Sequence, residues 1–133
     1  QGAVAALPIA EVPTRKDSGL LETYFKDFVS DKTNWRKMLK NDIEDIDLYE
    51  VRDQLFEDWP DHLNAEPLEM EEVVDIHYPV KEYPTQIKSF NLDKDPHVRG
   101  TLKGIKGQYL IFDSGVINLR KYTGYKLKFT TTD

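Results

Sequence analysis

Near residue 70 the hydrophobic pattern of the chain changes its period, and this change restricts the possible folds more than any other feature. Before it, Leu20, Leu21, Tyr24, Phe25, Phe28 and Val29 recur at the spacing of one face of a helix. After it, the short runs VVDIHY, TQIKSF, VRGTL, QYLIF, VINLR and YKLKF are separated by turn residues, a spacing that suits a small antiparallel β structure. The chain is therefore expected to be an α+β protein. Its first part, 1–69, is mostly helical, with an N-terminal strand plus three helices. Its second, 70–133, is a small β domain built as a five- to six-stranded antiparallel barrel-like sheet.

Local signals place the elements. The apolar run AVAALPIAEV, residues 3–12, is short and bounded by Pro13, so it is expected to be a buried strand, with Pro8 putting it at a sheet edge or bulge. Asp17 or Ser18 caps the first helix, and Ser30, Asp31 and Thr33 supply caps for a second that carries Trp35, Met38 and Leu39. The acidic stretch NDIEDID, 41–47, precedes a third helix with Leu48, Val51, Leu55 and Trp59 on one face, ended by Pro60. Asp113-Ser114-Gly115 and Tyr122-Thr123-Gly124 are expected as three-residue hairpin loops.

Composition excludes several classes. The longest apolar run, Ala3 to Ala10, contains Pro8 and falls far short of the roughly 20 residues a spanning helix needs, so no membrane association is expected. With no cysteine, a disulfide scaffold, a cysteine-based metal site and a thiol nucleophile are excluded, and a reducing cytoplasmic setting is expected. The chain starts at Gln1 without a leader-like segment, which is expected of a fragment of a longer protein. The net charge of -6 conceals an imbalance: residues 1–76 carry 19 acidic and 8 basic side chains, residues 77–133 carry 5 acidic and 10 basic.

Few residues are arranged for chemistry. A calcium loop beginning at Asp42 would need glycine at its sixth position and glutamate at its twelfth, and the chain has Asp47 and Asp53 there. His62, His77 and His97 are too widely spaced for a compact metal motif. No phosphate loop, nucleophile elbow or dinucleotide fingerprint occurs. Glu22, at the margin of the first apolar stripe, is a candidate oxygen ligand for a divalent metal, against which stands the plainer reading that Glu22 and Lys26, four residues on, form an exposed helix pair. Lys126 and Lys128 alternate with Tyr125, Leu127 and Phe129, and Lys103, Lys106, Arg120 and Lys121 extend the positive charge. With Tyr109 and Tyr122 available for stacking, these six cations form a candidate nucleic-acid-binding surface. The competing reading buries the aromatics and leaves the lysines to solvate the outside.

In KGIKGQYLIFDSGVINLRKYTGYKL, 103–127, and DKTNWRKMLKN, 31–41, the chain resembles a prokaryotic family classed as a domain of unknown function, along nearly its whole length. The resemblance names no activity. It implies, in longer members, an upstream segment containing cysteines and a stretch similar to the start of a GIY-YIG nuclease domain. The segment SGLLETYFKDFVSDKTNW is in turn distantly similar to the second half of GIY-YIG domains, with Glu22 at the position of the metal-binding glutamate and Asn34 following. The paired tyrosines and the arginine of such a site would precede Gln1, so the isolated chain is expected to be inactive and without a cofactor, with Mg or Mn implied only for a longer chain. The function expected from the residues is a protein of unknown biochemical activity, nucleic-acid-associated through the basic β domain. The alternatives are a metal-dependent nuclease remnant with Glu22 as ligand, and an interaction module whose acidic helices engage a basic protein partner.

Overall fold

The computed structural model describes residues 2–30 and 32–132; Asp31, named above among the caps, lies outside the described residues. The contacts group the chain differently from a split at 69/70. One unit comprises Ala3–Asn34 and Ile43–His77, the other Gln1–Gly2, Trp35–Asp42 and Tyr78–Asp133. By sequence, the first holds 18 acidic and 5 basic side chains and the second 6 acidic and 13 basic. They are called here the acidic and the basic unit.

In the acidic unit the N-terminal apolar run makes two short strands, β1 (Ala5–Ala6) and β2 (Ala10–Glu11), instead of one. Pro8 between them has no N–H to place in a ladder. Each pairs antiparallel with a later strand: β2 with β3 (Glu66–Pro67), β1 with β4 (Val74–Asp75). Helix α1 (Arg15–Phe25) starts earlier than expected because Thr14, not Asp17 or Ser18, is its N-cap; the Thr14 hydroxyl oxygen accepts the Asp17 N–H at 3.2 Å. Asp17 then favours the positive end of the helix from its first turn. Helix α3 (Leu48–Glu57) is capped by Asp47, which accepts from the N–H groups of Tyr49 and Glu50. Leu21 and Phe25 of α1 are buried with Leu55 of α3, and Val12, Val51, Trp59 and Leu63 pack around them. The helical stripe stops there. Because α1 ends at Phe25, the rest of the stripe leaves the helical register and Phe28 and Val29 are exposed.

The basic unit is built on a three-stranded antiparallel sheet, β5 (Leu102–Lys106), β6 (Tyr109–Phe112) and β7 (Gly115–Asn118), in that order. The first hairpin turns on Gly107-Gln108, with Gly107 at φ 59°, a conformation that glycine adopts at little steric cost. The second turns on Asp113-Ser114, with Phe112 already paired to Gly115, one residue tighter than expected. The segment 79–90 reaches both edges of this sheet. The Lys81 N–H donates to the Lys103 carbonyl (2.7 Å) and the Ile105 N–H to that of Pro79 (3.0 Å), while Phe90 and Val116 bond at 2.9 Å and Val116 and Lys88 at 2.8 Å.

No closed barrel of five or six strands forms among the described residues, whose sheets have two, two and three strands. VVDIHY contributes Val74–Asp75 to the acidic unit as β4. TQIKSF supplies a single bridge, Ser89 to Val116. YKLKF is not a strand, and Tyr122-Thr123-Gly124 is not a hairpin loop. The Asn118 side chain accepts the Arg120 N–H at 3.1 Å and starts a 3-10 helix, Leu119–Tyr122, which takes the chain out of the sheet first.

The core of this unit depends on a short helix, α2 (Trp35–Leu39), that comes from the middle of the sequence. Leu39 is fully buried and, with Met38, packs on Tyr109, Ile111 and Val116. Trp35 lies flat on Tyr109, ring centroids 5.8 Å apart and planes 7° from parallel, and the Arg36 guanidinium covers the Trp35 ring at 4.3 Å. Val80 and Ile87 close the cluster. Val80 approaches β5 so tightly that a Cβ at Gly104 would come within 2.7 Å of it.

Candidate functional site

The strand β5 reverses the expected inside and outside. Gly104 and Lys106 point inward and are buried, whereas Ile105 is 43% exposed. Lys106 is 1% exposed. Its ammonium donates to the Met38 carbonyl at 3.1 Å and to Asn41 Oδ1 at 3.3 Å, and sits over the rings of Tyr78 (5.2 Å) and Tyr83 (4.9 Å). Asn41 follows α2 in the left-handed region, φ 56°, which asparagine tolerates better than most residues. That conformation accompanies the placing of its side-chain oxygen on the lysine. Lys106 makes no ion pair among the described residues, and burial pushes its pKa below the ordinary lysine value. The side chain therefore ties the end of α2 to the sheet and is removed from the surface on which the sequence placed it. No sequence rule flags it; the nearest signal is the KGIKG spacing, which puts Lys106 in phase with a glycine.

The other five cations expected to act together are distributed unevenly. Lys103 is half-buried, its ammonium 3.5 Å from a Glu82 carboxylate oxygen. Arg120 and Lys121 lie exposed on the 3-10 helix, and Lys126 and Lys128 are exposed on the irregular segment that follows. Sequence reasoning missed Arg36 and Lys37 on α2 and Lys40 just after it, exposed side chains that belong to the same unit. Their signal was present in the WRKMLK segment, but nothing local shows which core Met38 and Leu39 join.

The expected stacking rings are also the wrong ones. Tyr109 is buried under Trp35, and burial raises its hydroxyl pKa, opposed by the Asn118 hydrogen bond and by the charge of Arg36. Tyr122 is buried, accepting the Leu92 N–H at 3.1 Å and donating to the Phe90 carbonyl at 3.3 Å. The exposed rings of this region are Tyr125 and Phe129. A groove of about 370 Å³ runs beside Tyr83, Lys88, Lys103 and Phe112, yet Glu82 and Asp113 line it too. Its two cations are thereby offset, and it is not selective for an anion.

Glu22 lies exposed on α1. Among the described residues no group of three or more His, Asp or Glu side chains is placed to hold a metal ion. No helix among the described residues is long and apolar enough to cross a membrane.

Fold and site together define an α+β protein of two units with opposite charge, the basic one organised around a buried lysine. The family described as "Protein of unknown function (DUF2797)" matches residues 1–127, and the chain belongs to that family. Neither the curated proteins nor the solved structures provide a match.

Proposed function

We propose that the basic unit binds nucleic acid, with Arg120, Lys121, Lys126 and Lys128 contacting phosphates, Lys103 at the margin, and Lys106 acting only as an internal tie. The observation that carries this reading is the segregation of charge by contact rather than by sequence half. Bringing α2 into the C-terminal unit raises its balance to 13 basic against 6 acidic side chains, and a net positive module attracts a polyanion even when the whole chain is acidic. Counterion release makes such binding steeply salt-dependent, with a logarithmic slope of roughly -0.7 per phosphate contact on a single strand and -0.9 on a duplex.

The test is fluorescence anisotropy of the full chain with short labelled oligonucleotides from low to physiological salt. Replacing Arg120, Lys121, Lys126 and Lys128 together with glutamine is expected to flatten the slope by roughly 3 units on a single strand. An unchanged slope, or no binding at the lowest salt, refutes the reading. In the second case the acidic unit, whose Leu20, Phe28 and Val29 remain exposed, becomes the candidate surface for a basic protein partner.

A further inference from the structure

Segment 119–129, LRKYTGYKLKF, contains four cations and no carboxylate. It also carries apolar side chains that the fold leaves in water: Tyr125 is 50% exposed, Leu127 52% and Phe129 72%. After Tyr125 the backbone of 126–132 makes no hydrogen bond to other backbone among the described residues, so neither sheet nor helix accounts for the alternation of rings and lysines. The ring of Tyr125 is nonetheless fixed. Its hydroxyl donates to Asp93 Oδ1 at 2.8 Å, its ring packs at 74° to that of Tyr122 with centroids 5.2 Å apart, and its N–H donates to the Tyr122 carbonyl at 3.0 Å. Tyr122 is in turn buried and hydrogen-bonded at both hydroxyl positions. A half-exposed aromatic ring held this way loses little freedom when something flat is laid on it.

We infer that the basic unit takes single strands rather than duplexes: Tyr125 and Phe129 stack on unpaired bases while Lys121, Lys126 and Lys128 meet the adjoining phosphates. This rests on the nucleic-acid reading and adds the ligand's class to it. Bases inside a duplex already stack on each other and offer a protein only their edges and phosphates, whereas unpaired bases present a free face that any exposed ring can cover. The chemistry is shared by RNA and DNA.

The experiment uses the full chain and four labelled probes of equal length at one low salt concentration: oligo-dT, oligo-U, an abasic strand and a duplex. The abasic strand keeps the phosphates and removes the faces. The parent is expected to bind oligo-dT and oligo-U at least about tenfold more tightly than the abasic strand. The double variant Tyr125→Ala, Phe129→Ala is expected to lose that ratio while keeping its affinity for the abasic strand, and Tyr125→Phe to preserve it. Both altered side chains are exposed, so the thermal midpoint checks that the fold is intact. A ratio that survives the double variant, or a parent that binds the abasic strand or duplex as tightly as oligo-dT, overturns the inference and leaves the phosphate-binding reading standing. No binding to any probe overturns both.

Discussion

Replacing Lys106 with methionine removes the ammonium and keeps most of the stem, so it isolates the tie between α2 and the sheet. Two hydrogen bonds to a charged donor are lost, each worth about 1.5–3 kcal/mol, and against them stands the relief of burying a charge, several kcal/mol per ion. The acceptors are not stranded. The Met38 carbonyl still receives the Asn41 N–H at 3.2 Å, and Asn41 is exposed and can turn to water. The net expectation for Lys106→Met is therefore a loss of about 1–2 kcal/mol. Lys106→Ala additionally forfeits several buried methylenes at about 0.8 kcal/mol each and leaves a cavity, for a total of about 3–5 kcal/mol. Urea denaturation in a Trp59→Phe background reads the correct unit, because Trp35, stacked on Tyr109, is then the sole tryptophan. The pH dependence gives an independent check. Burial lowers the folded-state pKa of Lys106 below 10.5, so the unfolded chain holds more protons between those values and the parent gains stability as pH rises through that window. The gap between parent and Lys106→Met should widen from neutral pH toward 10.5. A methionine variant as stable as the parent refutes the role assigned to the ammonium.

Tyr109 has the opposite sign: burial raises its folded-state pKa above 10.0, so its contribution is complete below pH 10 and is lost as pH climbs through the raised value; Tyr109→Phe should reduce that alkaline loss, measured by urea midpoints above pH 10. Leu39→Ala should cost about 2–5 kcal/mol and register at Trp35, whereas Phe25→Ala, at about 3–5 kcal/mol, should register at Trp59; the reverse assignment of signals would contradict the grouping of α2 with the C-terminal sheet.

The features legible in the chain alone are local. Period and caps located three helices, with α1 shifted because Thr14 rather than Asp17 accepts the free N–H. Turn residues located the β6–β7 hairpin at Asp113-Ser114, but not the Gly107-Gln108 turn between β5 and β6, and Tyr122-Thr123-Gly124 proved not to be a hairpin loop. The N-terminal run was read as one strand with Pro8 at an edge or bulge, and it forms two short strands on either side of that proline. These features follow from interactions within a few residues, which is the range over which a linear pattern carries information. Membership of a unit, and inside versus outside at single positions, emerge only from the packed fold. WRKMLK is amphipathic in any context, and nothing local says that Met38 and Leu39 pack on a sheet that begins more than sixty residues later. Lys106 shows the same limit. On pattern it belongs in water, but inside the fold a carbonyl, an amide oxygen and two tyrosine faces replace its hydration shell. Tyr122 and Tyr125, three residues apart, have opposite fates because the 3-10 helix turns one ring into the Phe90–Leu92 backbone and leaves the other outside. Desolvation and its compensation are sums over all neighbours of an atom, and most of those neighbours are distant in the chain.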